Sequence, residues 1–316
     1  MGKIAFLYPG QGSQRVGMGA ELLQHHPDLF RRYLGQAEAV SGLPVGRYCL
    51  EGPLEALTQT EVAQPALFAL SLALTDYALG LGLRPDFVAG HSLGEYTAAV
   101  AVGALSLEDG MQLVCQRGRL MAASQHQRPG AMGVVQGLTP DVVQYLCQIA
   151  TEIAYVVVAN VNAPTQVVVS GDMAGVERVL ELARMALAEK AFRLQVSAAF
   201  HSELMAPVLA DLALTAERLE WRTPAVPLVC NVSGGLLATR EAVKAGLLEQ
   251  IVRPVQWVDC VQTLQTAGCT TFLELGSGRV LTGLTRLINT DADAFAADSA
   301  QKVRNFIELR EGAYRD

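Results

Sequence analysis

No pair or cluster among the six cysteines has the spacing of a metal or redox site. Cys49, Cys115, Cys147, Cys230, Cys260 and Cys269 are scattered, mostly in apolar runs, with neither metal-ligand nor Cys-x-x-Cys spacing. They read as small buried hydrophobes in a reducing compartment, and no metal is expected. Positive charge is scarce as well: 24 Lys and Arg against 31 Asp and Glu leave a net charge of -7, without a basic cluster. That argues against nucleic-acid binding, which needs clustered cations to neutralise phosphates. It also gives no global attraction for an acidic protein partner. Long hydrophobic runs are missing too, since the best membrane candidate, 62–75, is interrupted by Pro65 and is too short to span a bilayer. It reads as a buried helix. The amino terminus has one lysine and a short apolar run ending at Pro9-Gly10, without the longer core and cleavage site of a signal peptide. A soluble, cytoplasmic protein with no membrane partner is expected.

What the 316 residues do hold is core material, 51% of them hydrophobic, in an alternation of strand-like and helix-like segments. Residues 3–8 form an apolar run suited to a strand buried on both faces, opening into Gly10-Gln11-Gly12-Ser13-Gln14. No Gly-Lys-Ser/Thr follows and the glycines miss the dinucleotide spacing, so phosphate binding is not indicated. Two readings of Gln11 stand: an amide reaching a site at the strand ends, or a solvated turn residue. Helical pattern covers 21–41, and a second helix runs from about 61 to 79, where Gly80-Leu81-Gly82 breaks it.

The segment that organises the chain is 86–95, where an apolar strand meets Gly90-His91-Ser92-Leu93-Gly94 and a helical run follows. In that context Gly-x-Ser-x-Gly makes a nucleophile elbow with Ser92 at its tip, where small neighbours let the turn close and substrate approach. The Leu93 amide, at the start of the following helix, can face a developing oxyanion. A further helix begins at Ser106 and reads to about 123. On its 3.6-residue period Arg117 falls in the apolar stripe with Leu113, Val114, Leu120 and Met121. An arginine there needs an anion. It either pairs with an acid such as Glu95, snorkels its head to the surface, or clamps a substrate carboxylate in bidentate fashion.

The rhythm changes after the polar segment 125–130. Strand 131–135, helix 139–150, strands 155–161 and 166–170, helix 173–188 and strand 191–196 give the ferredoxin-like order β-α-β-β-α-β. The expected organisation is a large α/β-hydrolase-like parallel-sheet subdomain, 1–128 and 197–316, with a ferredoxin-like subdomain, 129–196, inserted in it. The cleft between them suits a long substrate. Beyond it, a helix over 203–220, strand 227–232, a helix over 241–250, segment 254–257 and strand 271–275 are expected to complete the main sheet. The tail after 289 is polar, with a surface helix over 302–310. Of the histidines, His25 and His26 sit at a helix end and His91 diverges from Ser92, which leaves His126 and His201 as candidate bases. No acidic residue completes a Ser-His-Asp triad.

These residues together resemble the malonyl-CoA:acyl-carrier-protein transacylase family over nearly the whole chain. Residues 4–14 are similar to its opening strand and Pro-Gly-Gln-Gly-Ser-Gln, 90–95 to its elbow, Arg117 to its carboxylate-holding arginine, and Phe200-His201-Ser202 to its histidine segment. Gln250 with Pro254, Val255 and Trp257 is similar to a later motif, in which the glutamine's backbone carbonyl orients the histidine and no acid is needed. The resemblance implies an acyltransferase without a permanently bound cofactor, with malonyl-CoA as substrate and the phosphopantetheine thiol of a holo acyl carrier protein as acceptor. Ser92 and His201 would be catalytic, Gln11 and Leu93 the oxyanion hole, and Arg117 and Phe200 the acyl selectors. Asn160, Asn162 and Gln166 fall in a segment similar to the family's cleft lining. The Phe-His-Ser spelling resembles acyltransferases that serve polyketide synthases lacking their own loading domain, which favours that pathway over fatty acid synthesis. A monomer is expected. Two rivals remain: a carrier-protein thioester hydrolase using the same Ser92 and His201, and a non-catalytic carrier-binding module. The Arg184, Lys190 and Arg193 cluster is either a carrier contact or a solvated face.

Overall fold

The computed structural model describes residues 2–196 and 198–312. Ser197, where the chain is expected to return to the large subdomain, lies outside the described residues. The strands are β1 (Lys3–Tyr8), β2 (Phe87–Gly90), β3 (Ala131–Gln136), β4 (Val156–Ala163), β5 (Gln166–Gly171), β6 (Lys190–Arg193), β7 (Leu228–Val229), β8 (Leu236–Leu237), β9 (Val255–Gln256), β10 (Cys269–Leu275) and β11 (Asp293–Ala297). They build two sheets in a mixed α/β fold. The first runs β11-β10-β1-β2-β7-β8 and is parallel except for the final β7–β8 hairpin. The second runs β6-β3-β5-β4-β9 and is antiparallel except where β9 joins β4.

The first sheet follows from its central strands. β2 is buried along its whole length and β1 from Ile4 onward, as continuous apolar runs covered by helices on both faces should be. Over one face lie the helices Pro27–Ser41, Thr60–Gly80, Leu93–Ala101 and Leu107–Gln127, which pack on one another. Helix Thr60–Gly80 corrects the expectation drawn from 62–75 alone. Its 21 residues are long and apolar enough to cross a membrane, but the apolar window is 83% buried inside the protein. Its neighbours are the helices just named, so its burial is met by protein.

Several boundaries move for identifiable reasons. The helical pattern of 21–41 is broken at His26 (φ -136°, ψ 58°), because Pro27 pushes the residue before it out of helical geometry. Strand β6 ends at Arg193; the Leu194 N–H still donates to the Met132 carbonyl at 2.8 Å, and residues 194–196 line a cavity. The helix expected over 203–220 is a short 3-10 turn, Glu203–Met205, followed by Ala206–Ala216. Segment 254–257 does not complete the first sheet: β9 pairs with β4 in the second, so that sheet takes a strand from beyond residue 196. Helices Trp257–Thr266 and Val280–Ile288 and strand β11, which extends the first sheet beside β10, are not among the elements expected from the sequence.

Candidate active site

Parallel strands β1 and β2 end side by side, with Tyr8 opposite Gly90, and the chain turns there through His91 and Ser92 into helix Leu93–Ala101. Ser92 has φ 53° and ψ -107°, a conformation that costs a non-glycine residue on the order of 1–3 kcal/mol and exposes its side chain at the tip of the turn. Two glycines make the turn possible. A Cβ on Gly90 would lie 1.9 Å from the Gly94 carbonyl carbon, and one on Gly94 would lie 1.9 Å from the Tyr8 carbonyl oxygen. Asn231, just beyond β7, fastens the turn from the side. Its Oδ1 accepts the Ser92 N–H at 2.7 Å and its Nδ2 donates to the Gly90 carbonyl at 2.7 Å. Sequence reasoning missed Asn231. The available signal was a polar residue at the carboxyl end of an apolar strand, level with the elbow.

His201 lies beside Ser92, with Nε2 2.8 Å from Oγ. It too has a positive φ, 57°, and the turn that holds it is closed by Ser202, whose hydroxyl donates to the Ala199 carbonyl at 2.6 Å. His201 Nδ1 is 2.7 Å from the backbone carbonyl of Gln250. A carbonyl only accepts, so Nδ1 carries the proton and Nε2 is left as an acceptor facing the serine hydroxyl. Burial, and then the Arg117 charge, push the His201 pKa down to about 3, against the opposing pull of the Gln250 carbonyl. The imidazole is therefore neutral at physiological pH and able to take a proton. His126 is not brought to this site.

Arg117 is 1% exposed, so its head does not snorkel. Its Nη2 donates to Ser92 Oγ and to Gln250 Oε1, both at 3.0 Å, and its Nη1 donates to Gln64 Oε1 at 2.8 Å. The guanidinium also stands over the Tyr96 ring at 5.0 Å. Among the described residues it makes no ion pair. Glu95, the acid considered for that pairing, is reached through Gln250, whose Nε2 donates to Glu95 Oε2 at 2.7 Å and to the Ser92 carbonyl at 2.9 Å. Thus a buried cation meets neutral oxygens at the nucleophile, a position that suits it to receive an anionic group.

Ser92, Arg117 and His201 open onto a cavity of about 330 Å³ that is also lined by Gln11, Asn160, Asn162 and Phe200. Its apolar wall comes from Met121 and, on the second sheet side, from Met132, Val168 and Leu194. Gln11 belongs to this wall, with its side-chain Nε2 donating to Thr60 Oγ1 at 3.1 Å. Leu93 is the first residue of its helix, so its N–H has no acceptor within that helix. Asn162 holds the His91 ring, Oδ1 to Nε2 2.8 Å, which ties the elbow to the second sheet and turns His91 away from Ser92. Gln166 is different. It does not line the cavity; its Oε1 accepts from Gln136 Nε2 at 3.3 Å because the strand register places the two side by side. Among the described residues no group of His, Cys, Asp and Glu could hold a metal ion.

A polarised serine, a neutral histidine oriented by a carbonyl, and an arginine at the nucleophile make an acyl-transfer site of the serine–histidine type. The acyl transferase domain family matches residues 5–290. The chain is 38% identical over 309 residues to the malonyl CoA-acyl carrier protein transacylase of Bacillus subtilis, covering 98% of this chain and 97% of that one. The crystal structure of the malonyl-CoA:acyl carrier protein transacylase of Xanthomonas oryzae superposes with a TM-score of 0.93 at 39% identity, covering 98% of each chain. A malonyl-transacylase in complex with its type II polyketide synthase acyl carrier protein is similar at a TM-score of 0.93 and 35% identity, covering 97% of this chain and 99% of that one. The chain belongs to the acyl transferase family, among its malonyl-CoA:acyl carrier protein transacylases.

Proposed function

We propose that the protein moves a malonyl group from CoA to the phosphopantetheine thiol of an acyl carrier protein through a malonyl ester on Ser92. The observation that carries the reading is Arg117, a buried cation without an ion-pair partner among the described residues, 3.0 Å from the nucleophile. In the first half-reaction His201 Nε2 takes the Ser92 proton as Oγ attacks the thioester carbonyl. The oxyanion is received by the backbone amides of Leu93 and Gln11. As the tetrahedral intermediate collapses the C–S bond breaks, and the proton on His201 passes to the CoA sulfur. In the second, His201 takes the proton of the carrier thiol, the sulfur attacks the Ser92 ester, and the proton returns to Oγ. The acyl carboxylate sits against the Arg117 guanidinium, which holds it in one orientation and leaves water poorly placed to compete. Gln250 serves His201 through its backbone carbonyl. Phe200 in the cavity wall disfavours a branch at the acyl α-carbon, a preference worth about 1–3 kcal/mol per methyl.

The same reading assigns residues 129–196 to a ferredoxin-like subdomain forming one wall of the cleft, with 1–128 and 197–316 as the catalytic subdomain. The strand order β6-β3-β5-β4 supports it. Asn160 and Asn162 are cleft residues, no cofactor is needed, and the protein works as a cytoplasmic monomer. The Phe-His-Ser spelling at 200–202 favours service to a polyketide synthase. The test is intact-protein mass after brief exposure to malonyl-CoA, followed by holo or apo carrier protein. A malonyl adduct that is lost on Ser92→Ala and passes to the holo carrier alone supports transfer. An adduct lost to water as fast without carrier would make the protein a thioester hydrolase, and no adduct would leave a carrier-binding module.

A further inference from the structure

Glu95 has no part in the chemistry above, yet it is completely buried within the elbow helix, one turn from the nucleophile. Its two oxygens are both used: Oε1 accepts the Asn231 backbone N–H at 3.1 Å, and Oε2 accepts Gln250 Nε2 at 2.7 Å. The second contact decides which way the Gln250 amide points. Glu95 Oε2 and the Ser92 carbonyl both accept from one end of that amide, so the end facing them is the NH2 and the end facing Arg117 is the oxygen. An oxygen at that point draws Nη2 to the place where it also meets Ser92 Oγ; an NH2 there would set donor against donor. We propose that Glu95 is a positioning residue, which fixes the Gln250 side chain and through it the seat of the Arg117 guanidinium, and so sets discrimination for an acyl group ending in a carboxylate.

The placement has a second, electrostatic side. A carboxylate in direct contact would neutralise Arg117 and compete with the acyl carboxylate. Set one amide away, Glu95 supports the guanidinium charge and leaves its face toward Ser92 unpaired. Burial is the main influence raising the Glu95 pKa, to about 7, against the lowering effects of the Asn231 and Gln250 donors and of Arg117. Those donors and the guanidinium favour the charged form of the acid, and burial opposes them. Gln250 therefore has two separate tasks, a backbone carbonyl for His201 and a side chain for Arg117.

The inference rests on the transacylase reading, and the experiment separates the two. Initial rates of Ser92 labelling by malonyl-CoA and by acetyl-CoA are measured by intact mass for wild type, Glu95→Gln, Gln250→Leu and the double variant, beside thermal melts. Glu95→Gln keeps the shape but offers an NH2 that lets the Gln250 amide reverse. Gln250→Leu keeps the backbone carbonyl for His201 and removes the relay. The malonyl-to-acetyl ratio is expected to fall at least tenfold in each single variant and no further in the double, because both cut one chain of contacts. A purely structural role would slow both substrates together and leave the ratio at the wild-type value, and that result overturns the inference. So does a double variant whose ratio falls by the product of the singles. Absence of a malonyl ester on wild type would instead overturn the transacylase reading itself.

Discussion

Arg117 and His201 owe their chemistry to burial together with the neutral oxygens that seat them. Arg117 divides its donors among two amide oxygens and one hydroxyl, an arrangement that a lysine ammonium with a single nitrogen cannot reproduce. Arg117→Lys is therefore expected to cost nearly as much as Arg117→Ala, about 2–5 kcal/mol in malonyl transfer, the range for truncating a buried hydrogen-bonded charge. Steady-state kcat/KM with malonyl-CoA reads it, and substantial retention in the lysine variant would mean that charge alone suffices. For His201 the direction of titration is fixed by burial. With its pKa at about 3 in the fold and near 6.5 when unfolded, the neutral ring's contribution to stability is intact above pH 6.5 and is lost as pH falls from there toward 3. The stability difference between wild type and His201→Gln, from urea unfolding, is accordingly expected to shrink below pH 6.5. Inactivation of Ser92 by a neutral sulfonyl fluoride is expected to stay level from pH 8 to pH 5. A midpoint near 6.5 would mean that the ring titrates as though exposed.

The elbow is the element on which these residues depend, and its tolerances are set by backbone contacts. Gly94→Ala would put a methyl 1.9 Å from the Tyr8 carbonyl oxygen, where strand β1 cannot yield without losing its register to β2. A destabilisation at or above the about 1–3 kcal/mol of ordinary overpacking is expected, read as a lower urea midpoint together with lost labelling. Asn231→Ala should cost about 1–3 kcal/mol for each of the two elbow groups it leaves unpaired, the Ser92 N–H and the Gly90 carbonyl, by the same urea measurement. Much of this element was legible in the chain, because the strand, the two glycines around Ser92 and the helix are local and each is dictated by near neighbours. Arg117 was legible from helix period as a core-facing cation. Asn231 and the Glu95–Gln250 contact were not, since they arise where segments more than 130 residues apart meet. The same holds for β9: two residues carry no periodicity, and only packing against β4 assigns them to the second sheet. Gln166 fell in a segment that resembled cleft lining, but strand register, which the sequence does not display, turned it toward Gln136.

At the scale of the whole molecule, a net charge of -7 gives no global attraction for an acidic carrier, the partner chemistry for which the basic residues Arg184, Lys190 and Arg193 are considered. On that reading an acidic carrier would dock through local cations near the cleft. Strand β6 is the outer strand of the second sheet, and the chain just after it, 194–196, lines the active cavity. Of the three cations expected there, Arg193 is paired with Glu177 at 3.4 Å, and Arg184 donates to the Ala191 carbonyl at 2.9 Å, fastening its helix to β6. Lys190 is exposed at the start of β6, and no ion pair holds it among the described residues. Lys190→Glu is therefore expected to raise KM for holo carrier several-fold at low salt, with the effect fading as ionic strength shortens the reach of the charge. Labelling of Ser92 by malonyl-CoA in the absence of carrier should stay at the wild-type rate, because the substitution lies outside the cavity. An unchanged carrier KM would place docking on another face of the cleft, while a fall in labelling without carrier would show that Lys190 acts on the donor substrate instead.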